Sequence, residues 1–495
     1  MTSLAPVSGF RAVAHLSLIA LHAAMMTTAH LPSTGPEWDS FKSSPVYTIM
    51  QAGGIQVDLL FMLSGFLLVY KYLHAKTGNT LVNFIKTRCL RLLPPILVVG
   101  LIGVLLGDSW DVDKRIADQG LFPNFKPIWL RFASMFMFVL NYVDVEAFGS
   151  FTLSLCWSCC VDMHSGAIIT VISNLVRGRI SKGKGKGDSL TDSDRERFAV
   201  VLRRVFFVWL CASLATRAYL FDVDTLNIFK LGQLTHFGNL MTDNSYTWIA
   251  ENWGHKWMTS NTAKDFAHEY MLKMYNPTHT RYGPFAVGGI MACSLYLAKS
   301  DNKISTKQRT VMSTLACWFW TVQAIVMLVV PCLPSDDNQP WGAQFFATTA
   351  LRTVASMCGA FLLFRALVPA SHPWHWSLLC SVLSLDAWQF IAETCYCSYL
   401  VHFRVLMELN FSQRLRDLVV TFTGMGPLPL ERASAWIAFM PRLWIVGSVV
   451  SLGLARVLHI FAERPFLRLA TNNTTKVNVT SFGDVERLLE SQKDK

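Results

Sequence analysis

Gln56-Val57-Asp58-Leu59-Leu60-Phe61-Met62-Leu63-Ser64-Gly65-Phe66-Leu67-Leu68-Val69-Tyr70 holds one charged group, Asp58, in an otherwise uncharged and mostly apolar stretch. A helix crosses a bilayer with about 20 such residues. Lipid offers no partner to the backbone, so a run of this kind has to satisfy its own N–H and C=O groups as a helix. Comparable runs lie at roughly 9–29, 53–73, 92–107, 151–176, 199–221, 282–299, 311–331, 343–364, 388–409 and 434–461. They predict an all-α integral membrane protein, a bundle of about ten transmembrane helices. A further run at 128–140 is short and carries Arg131.

Composition agrees. The chain is 52% hydrophobic before its 29 glycines are counted, above the roughly 45–50% of soluble domains with glycine included. Charged residues make up only 16% of the chain and mean hydropathy is +0.34, which excludes a soluble enzyme, a disordered chain and a coiled coil. The net charge of +11 raises nucleic acid as a partner. Its placement between apolar runs is instead that of the positive residues flanking membrane helices, so the bilayer is the expected partner and no nucleic acid is. Most of the twelve cysteines lie within apolar runs and read as small hydrophobes. Cys156 and Cys159 form a C-x-x-C with no second pair at zinc spacing, so no metal is expected. The first run carries Arg11, His15 and His22 without a clear cleavage site and reads as a retained first helix rather than a signal peptide.

Loop charge orients the bundle. Stretches 74–91, 177–204 and 299–309 hold clustered Lys and Arg and belong in the cytosol, whereas 332–342 carries Asp336 and Asp337 and belongs outside. Two crossings separate the first two basic stretches if 128–140 is interfacial or re-entrant, and three if it spans. Parity therefore keeps 128–140 out of the count and puts both termini in the cytosol. On this reading residues 1–470 form the membrane domain, with 177–204 a basic cytosolic loop and 222–281 a non-cytosolic one, followed by a polar tail at 471–495. Asn472, Asn473 and Asn478 head glycosylation sequons in that tail, which sits awkwardly with a cytosolic end.

Ionisable groups inside spans are costly and are functional candidates by default. Arg11 and His22 are eleven residues apart, about three helical turns and about 16 Å along one face. They line one path, or Arg11 snorkels to headgroups and His22 packs. Asp58 is placed to orient a histidine or to pair with an arginine. Ser64 is about 120° round the helix from it and reads as a small packing residue beside Gly65. Arg88 and Arg91 share a helical face, with Lys86 close by. A paired-arginine fork suits phosphates, and the same residues also suit a plain cytosolic anchor. Asp162 and His164 fall in the fourth run, and Tyr399 and His402 one turn apart in the ninth; Arg281 leads into the sixth and Glu463 follows the tenth.

Taken in order, these elements resemble the acyltransferase 3 family, and within it the eukaryotic branch of nose-resistant-to-fluoxetine-type proteins. The family's Arg, ten residues, His pattern is met by Arg11 and His22, and its V-D-x-F-F-x-L-S-G-F-L run by Val57 through Leu67, with Leu60 at a usual aromatic. R-x-x-R-x-x-P is met by Arg88, Arg91 and Pro94, and the W-x-L-x-x-D/E element resembles Trp157 through His164 with Asp162 as the acid. Tyr275 through Arg281 is similar to the branch's Y-x-K-P-x-x-R without its Lys, Cys395 through His402 to S-Y-x-x-Y-L-x-H, and Glu463-Arg464-Pro465-Phe466 to E-x-P-F.

The resemblance implies an acyl-CoA-dependent O-acyltransferase, with acetyl-CoA the first donor to consider. The acceptor is a hydroxyl on a sugar, lipid or glycolipid, in an endomembrane or the plasma membrane. His22, Arg11, Asp58 and Asp162 then carry catalysis, Arg88, Arg91 and Lys86 bind the coenzyme, and Arg281, Tyr399, His402 and Glu463 support substrate or structure. The alternative is a non-catalytic lipid or small-molecule transporter on the same scaffold. A conduit has no evident need of a base beside an arginine, which favours the enzyme. Oligomeric state is left open.

Overall fold

The computed structural model describes residues 4–28, 55–75, 80–106, 133–142, 155–181, 190–220, 277–300, 349–367, 374–424 and 433–472. Every regular element among them is helical: α1 (Ala5–Thr28), α2 (Gln56–His74), α3 (Leu81–Leu106), α4 (Trp157–Ile180), α5 (Asp192–Leu220), α6 (Thr278–Ser300), α7 (Leu351–Leu367), α8 (Trp374–Leu383), α9 (Ala387–Phe411), α10 (Gln413–Phe422), α11 (Ala433–Leu458) and α12 (Arg464–Asn472). Among the described residues, five helices are long and apolar enough to cross a membrane: Ala5–Ala24, Gln56–His74, Trp157–Ile180, Asp192–Leu220 and Ser434–Leu469. The run 311–331 and nearly all of 222–281 lie outside the described residues.

Side-chain contacts fix the helix directions. Phe61 packs on Trp157, Ser64 bonds Asp162 and Tyr72 bonds Thr170, so α2 and α4 run in parallel. Asp58 meets Arg281 and His74 meets Tyr296, which makes α6 parallel to α2 as well. Along α7, Arg352 reaches Asp58 and Gly359 lies against Leu59 and Met62, again in the same sense. α5 opposes α6, with Arg217 at Thr280 and Phe206 at Gly289. α3 opposes α4, with Arg88 at Asp162 and Phe84 at Gly166. α1 and α9 run in parallel, since His22 meets His402 and Met26 meets Asn410. α11 opposes α9, with Gly447 at Leu406 and Arg456 at Glu393.

α2 and α6 cross in backbone contact. A Cβ added at Gly65 would fall on the backbone of Phe285, and one at Gly288 on the backbone of Met62. Small residues let membrane helices approach to backbone contact, and packing then replaces the hydrophobic drive that lipid does not supply.

Three boundaries differ from the sequence reading. The basic stretch 177–204 is helical at both ends, because α4 runs on to Ile180 and α5 begins at Asp192. Its first turn is closed by Asp194, whose carboxylate accepts from the Thr191 N–H (3.0 Å) and hydroxyl (2.5 Å). α3 starts eleven residues before the apolar run at 92, so Arg88 and Arg91 sit within a helix that continues through Pro94 and Pro95. The described part of 128–140 is a single helical turn and a 3-10 turn, Leu140–Tyr142, broken at Phe138 by a left-handed φ of 54°. That turn is anchored by Asn141, which donates to Thr278 Oγ1 at 2.9 Å; His164 shares the same hydroxyl at 2.8 Å.

Candidate active site

Most of the candidate ionisable residues that the structure describes gather into three groups. The first joins α1 and α9. His22 Nδ1 lies 2.7 Å from His402 Nε2, with the two rings stacked at 4.9 Å. His402 Nδ1 points back along its own helix to the carbonyls of Tyr399 (2.9 Å) and Ser398 (3.2 Å). His15, two turns before His22, sets its ring edgewise on His402 at 5.9 Å. His15 and His402 are fully buried, whereas His22 keeps 6% of its surface open. Arg11 continues the same face of α1, half-buried beside Cys395 of α9.

The second group centres on Asp58, which is fully buried. Arg281 Nη1 donates to both its oxygens, at 2.8 and 3.0 Å, and Arg352 Nη1 binds Oδ2. The Arg281 guanidinium also lies 5.3 Å over the Trp157 ring. Arg217 stands close by and donates to the Thr280 carbonyl at 2.8 Å. Pro284, four residues after Thr280, has no N–H to give that carbonyl, so the arginine takes the place of the missing helical donor.

The third group surrounds the paired arginines of α3. Arg88 Nη1 bonds Asp162 Oδ2 at 2.9 Å, and Asp162 Oδ1 accepts from the Ser64 hydroxyl. Arg91 Nε bonds Glu463 Oε1 at 3.1 Å. Each arginine side chain stays about one-fifth exposed. Glu463 is brought inward by a π-helical turn, His459–Glu463, that joins α11 to α12. Its Oε2 accepts from His459 Nδ1 at 2.8 Å and from the Cys397 thiol at 3.2 Å. Cys397, His459 and Glu463 have the chemistry of metal ligands and sit within 4.8 Å of one another. Arg91 already supplies the positive charge that this carboxylate needs.

Of the sequence candidates, His22 and His402 meet directly, with Arg11 on the same face. Tyr399 supports them one turn away: its hydroxyl donates to the Leu155 carbonyl (3.0 Å) and meets Ser158 Oγ at 2.9 Å, tying α9 to the start of α4. Asp58 is held by Arg281 and Arg352, and the group that touches His22 is His402 instead. Asp162 is bound to Arg88 and Ser64, and Lys86 is exposed on α3. Arg217, Arg352 and His459 join these groups in addition to the sequence candidates. The first two carry the signal used for the others, a charge inside an apolar run, whereas His459 becomes visible only through the π turn.

A chain with a buried imidazole opening to one side, flanked by arginines in an apolar bundle, has the parts that acyl transfer uses: a base and positive charge. The family model of an acyltransferase domain matches residues 7–455. The chain belongs to the acyltransferase 3 family. No curated protein and no solved structure matches it. Family membership and the apolar helices together mark it as a membrane acyltransferase. The matched span of this acyltransferase 3 chain takes in the histidine pair, the Asp58 group and the arginines of α3, and it ends before Glu463.

Proposed function

We propose that the protein is a multi-pass O-acyltransferase that moves an acyl group, acetyl first among the candidates, from acyl-CoA to a hydroxyl of a sugar, lipid or glycolipid. The observation that carries this reading is the histidine pair. His22 has one ring nitrogen bound to His402, no partner for the other among the described residues, and 6% of its surface still open. In the reaction the outer nitrogen of His22 takes the proton of the acceptor hydroxyl as its oxygen attacks the thioester carbon. The C–S bond breaks, the coenzyme thiolate leaves, and the imidazolium returns the proton to sulfur. Arg11 offers positive charge along the same face, and Arg88 and Arg91, whose side chains are about one-fifth exposed, are the arginines read as contacting coenzyme phosphates.

The helix directions support a bundle of about ten crossings with both termini in the cytosol. α6 and α7 run the same way, so the chain between them has to return once, a part that the apolar run 311–331 fits. α1 and α9 are also parallel, as an even number of crossings from one to the other requires. Within the family we read the protein as similar to the nose-resistant-to-fluoxetine-type branch, a reading supported by the order of its motifs from Arg11 to Glu463.

Membranes containing the protein, given radiolabelled acetyl-CoA, are expected to transfer label to their lipid or glycan fraction. His22→Ala should lower that rate by about 10²- to 10⁴-fold at unchanged expression. Arg11→Lys should be nearly as damaging, because it keeps the charge and loses the planar fork. Wild-type transfer by a well-folded His22→Ala protein would move the reading to a transporter.

A further inference from the structure

We infer that His402 is a positioning residue that fixes the tautomer of His22 and so makes its outer nitrogen a base. This rests on the reading of His22 as the base. Carbonyl oxygens only accept, so the contacts of His402 Nδ1 with the carbonyls of Tyr399 and Ser398 require hydrogen on that nitrogen. A neutral imidazole has hydrogen on one nitrogen only, which leaves the other, His402 Nε2, with a lone pair. At 2.7 Å from it, His22 Nδ1 has to be the donor. His22 Nε2 is then the lone-pair nitrogen, and it is the one with no partner among the described residues.

The alternative is a charged His402 bearing two hydrogens. Its ring neighbours are His15, His22, Tyr399 and Phe403, and none of these carries a negative charge to offset a cation in a fully buried site. Donation therefore runs from His22 Nδ1–H to His402 Nε2, and from His402 Nδ1–H to the carbonyls of its own helix. In serine proteases a carboxylate gives the histidine its orientation. Here a backbone-anchored imidazole does the same without placing a charge in the bilayer. An isolated imidazole shifts its hydrogen freely between its two nitrogens, and only the tautomer with bare Nε2 can receive a proton from an acceptor hydroxyl at the open side.

Solid-state NMR on the full chain in lipid bilayers, with ¹⁵N-labelled histidine, distinguishes protonated from lone-pair ring nitrogens. The chain has 13 histidines, so the His22 signals are assigned by difference against His22→Asn. The expected result is hydrogen on His22 Nδ1 and a bare Nε2. His402→Leu removes the acceptor and should release His22 into a mixture of tautomers. With acetyl-CoA as the donor probe, its maximal transfer rate should fall on the order of a hundredfold, with the apparent KM for acetyl-CoA held within about twofold. His402→Gln sets a carbonyl oxygen where Nε2 was, and should restore both the tautomer and most of the rate.

Hydrogen on His22 Nε2 in the wild type overturns the proposal, as does a His402→Leu protein with wild-type tautomer or wild-type rate. If His402→Leu does not accumulate, the wild-type spectrum and the His402→Gln rate decide. A fully active His22→Ala protein would instead sink the base reading itself, and that outcome is separate from the tautomer measured by NMR.

Discussion

Removing the Asp58 carboxylate leaves Arg281 and Arg352 side by side in a buried site without the acid that both of them bind. Breaking a buried ion pair by deleting one partner costs about 3–5 kcal/mol. Asp58→Ala should therefore lower the unfolding temperature in detergent markedly, and an unchanged temperature would show that the cluster adds nothing to stability. At α3, Arg88→Ala with Arg91→Ala should weaken acetyl-CoA binding by about 1.5–3 kcal/mol per lost phosphate contact, read by titration. The double variant also deprives Glu463, whose side chain is 1% exposed, of its arginine, so some loss of stability should accompany the loss of affinity. Unchanged affinity would make the two arginines purely structural. Much at this scale was legible in the sequence, because charge inside an apolar run is costly enough to stand out. Pairing was not: Asp58 had a histidine or an arginine as possible partners, and only the helix packing shows that Arg281 and Arg352 take it.

At the scale of the helix, spacing foresaw the apolar runs and missed their ends. Apolarity marks where lipid begins, whereas a helix stops where its capping and backbone bonding stop. Thus α3 continues through two prolines, with the Tyr396 hydroxyl donating to the Leu92 carbonyl at 2.7 Å just before them, and α5 reaches past its apolar part to a Thr191–Asp194 cap. The π turn is likewise absent from any apolar period, since it inserts one extra residue per turn locally. The α2–α6 crossing gives the sharpest test. Gly288→Ala or Gly65→Ala puts a methyl where the partner backbone lies, and each should destabilise the protein by about 1–3 kcal/mol. Thermal unfolding of the two variants checks this, and wild-type stability in both would mean that the helices part without cost.

For the whole molecule, the alternation read from loop charge makes its own prediction. A cysteine placed at Lys184, in the segment 182–189 outside the described residues, should resist an impermeant thiol reagent applied to intact cells and react once the membrane is opened. Reaction from outside would reverse the assigned orientation. The parallel pair α1 and α9 also bears on how the enzyme is made. The two histidines that meet at 2.7 Å are 380 residues apart in the chain. At about 5–20 residues per second, a ribosome needs roughly 20–75 s to pass from one to the other. For that interval His22 is already synthesised while its orienting partner does not yet exist. On the proposed mechanism, a growing or truncated chain therefore carries an imidazole with no fixed tautomer, and the base is not in place until almost the last described helix has been delivered to the membrane.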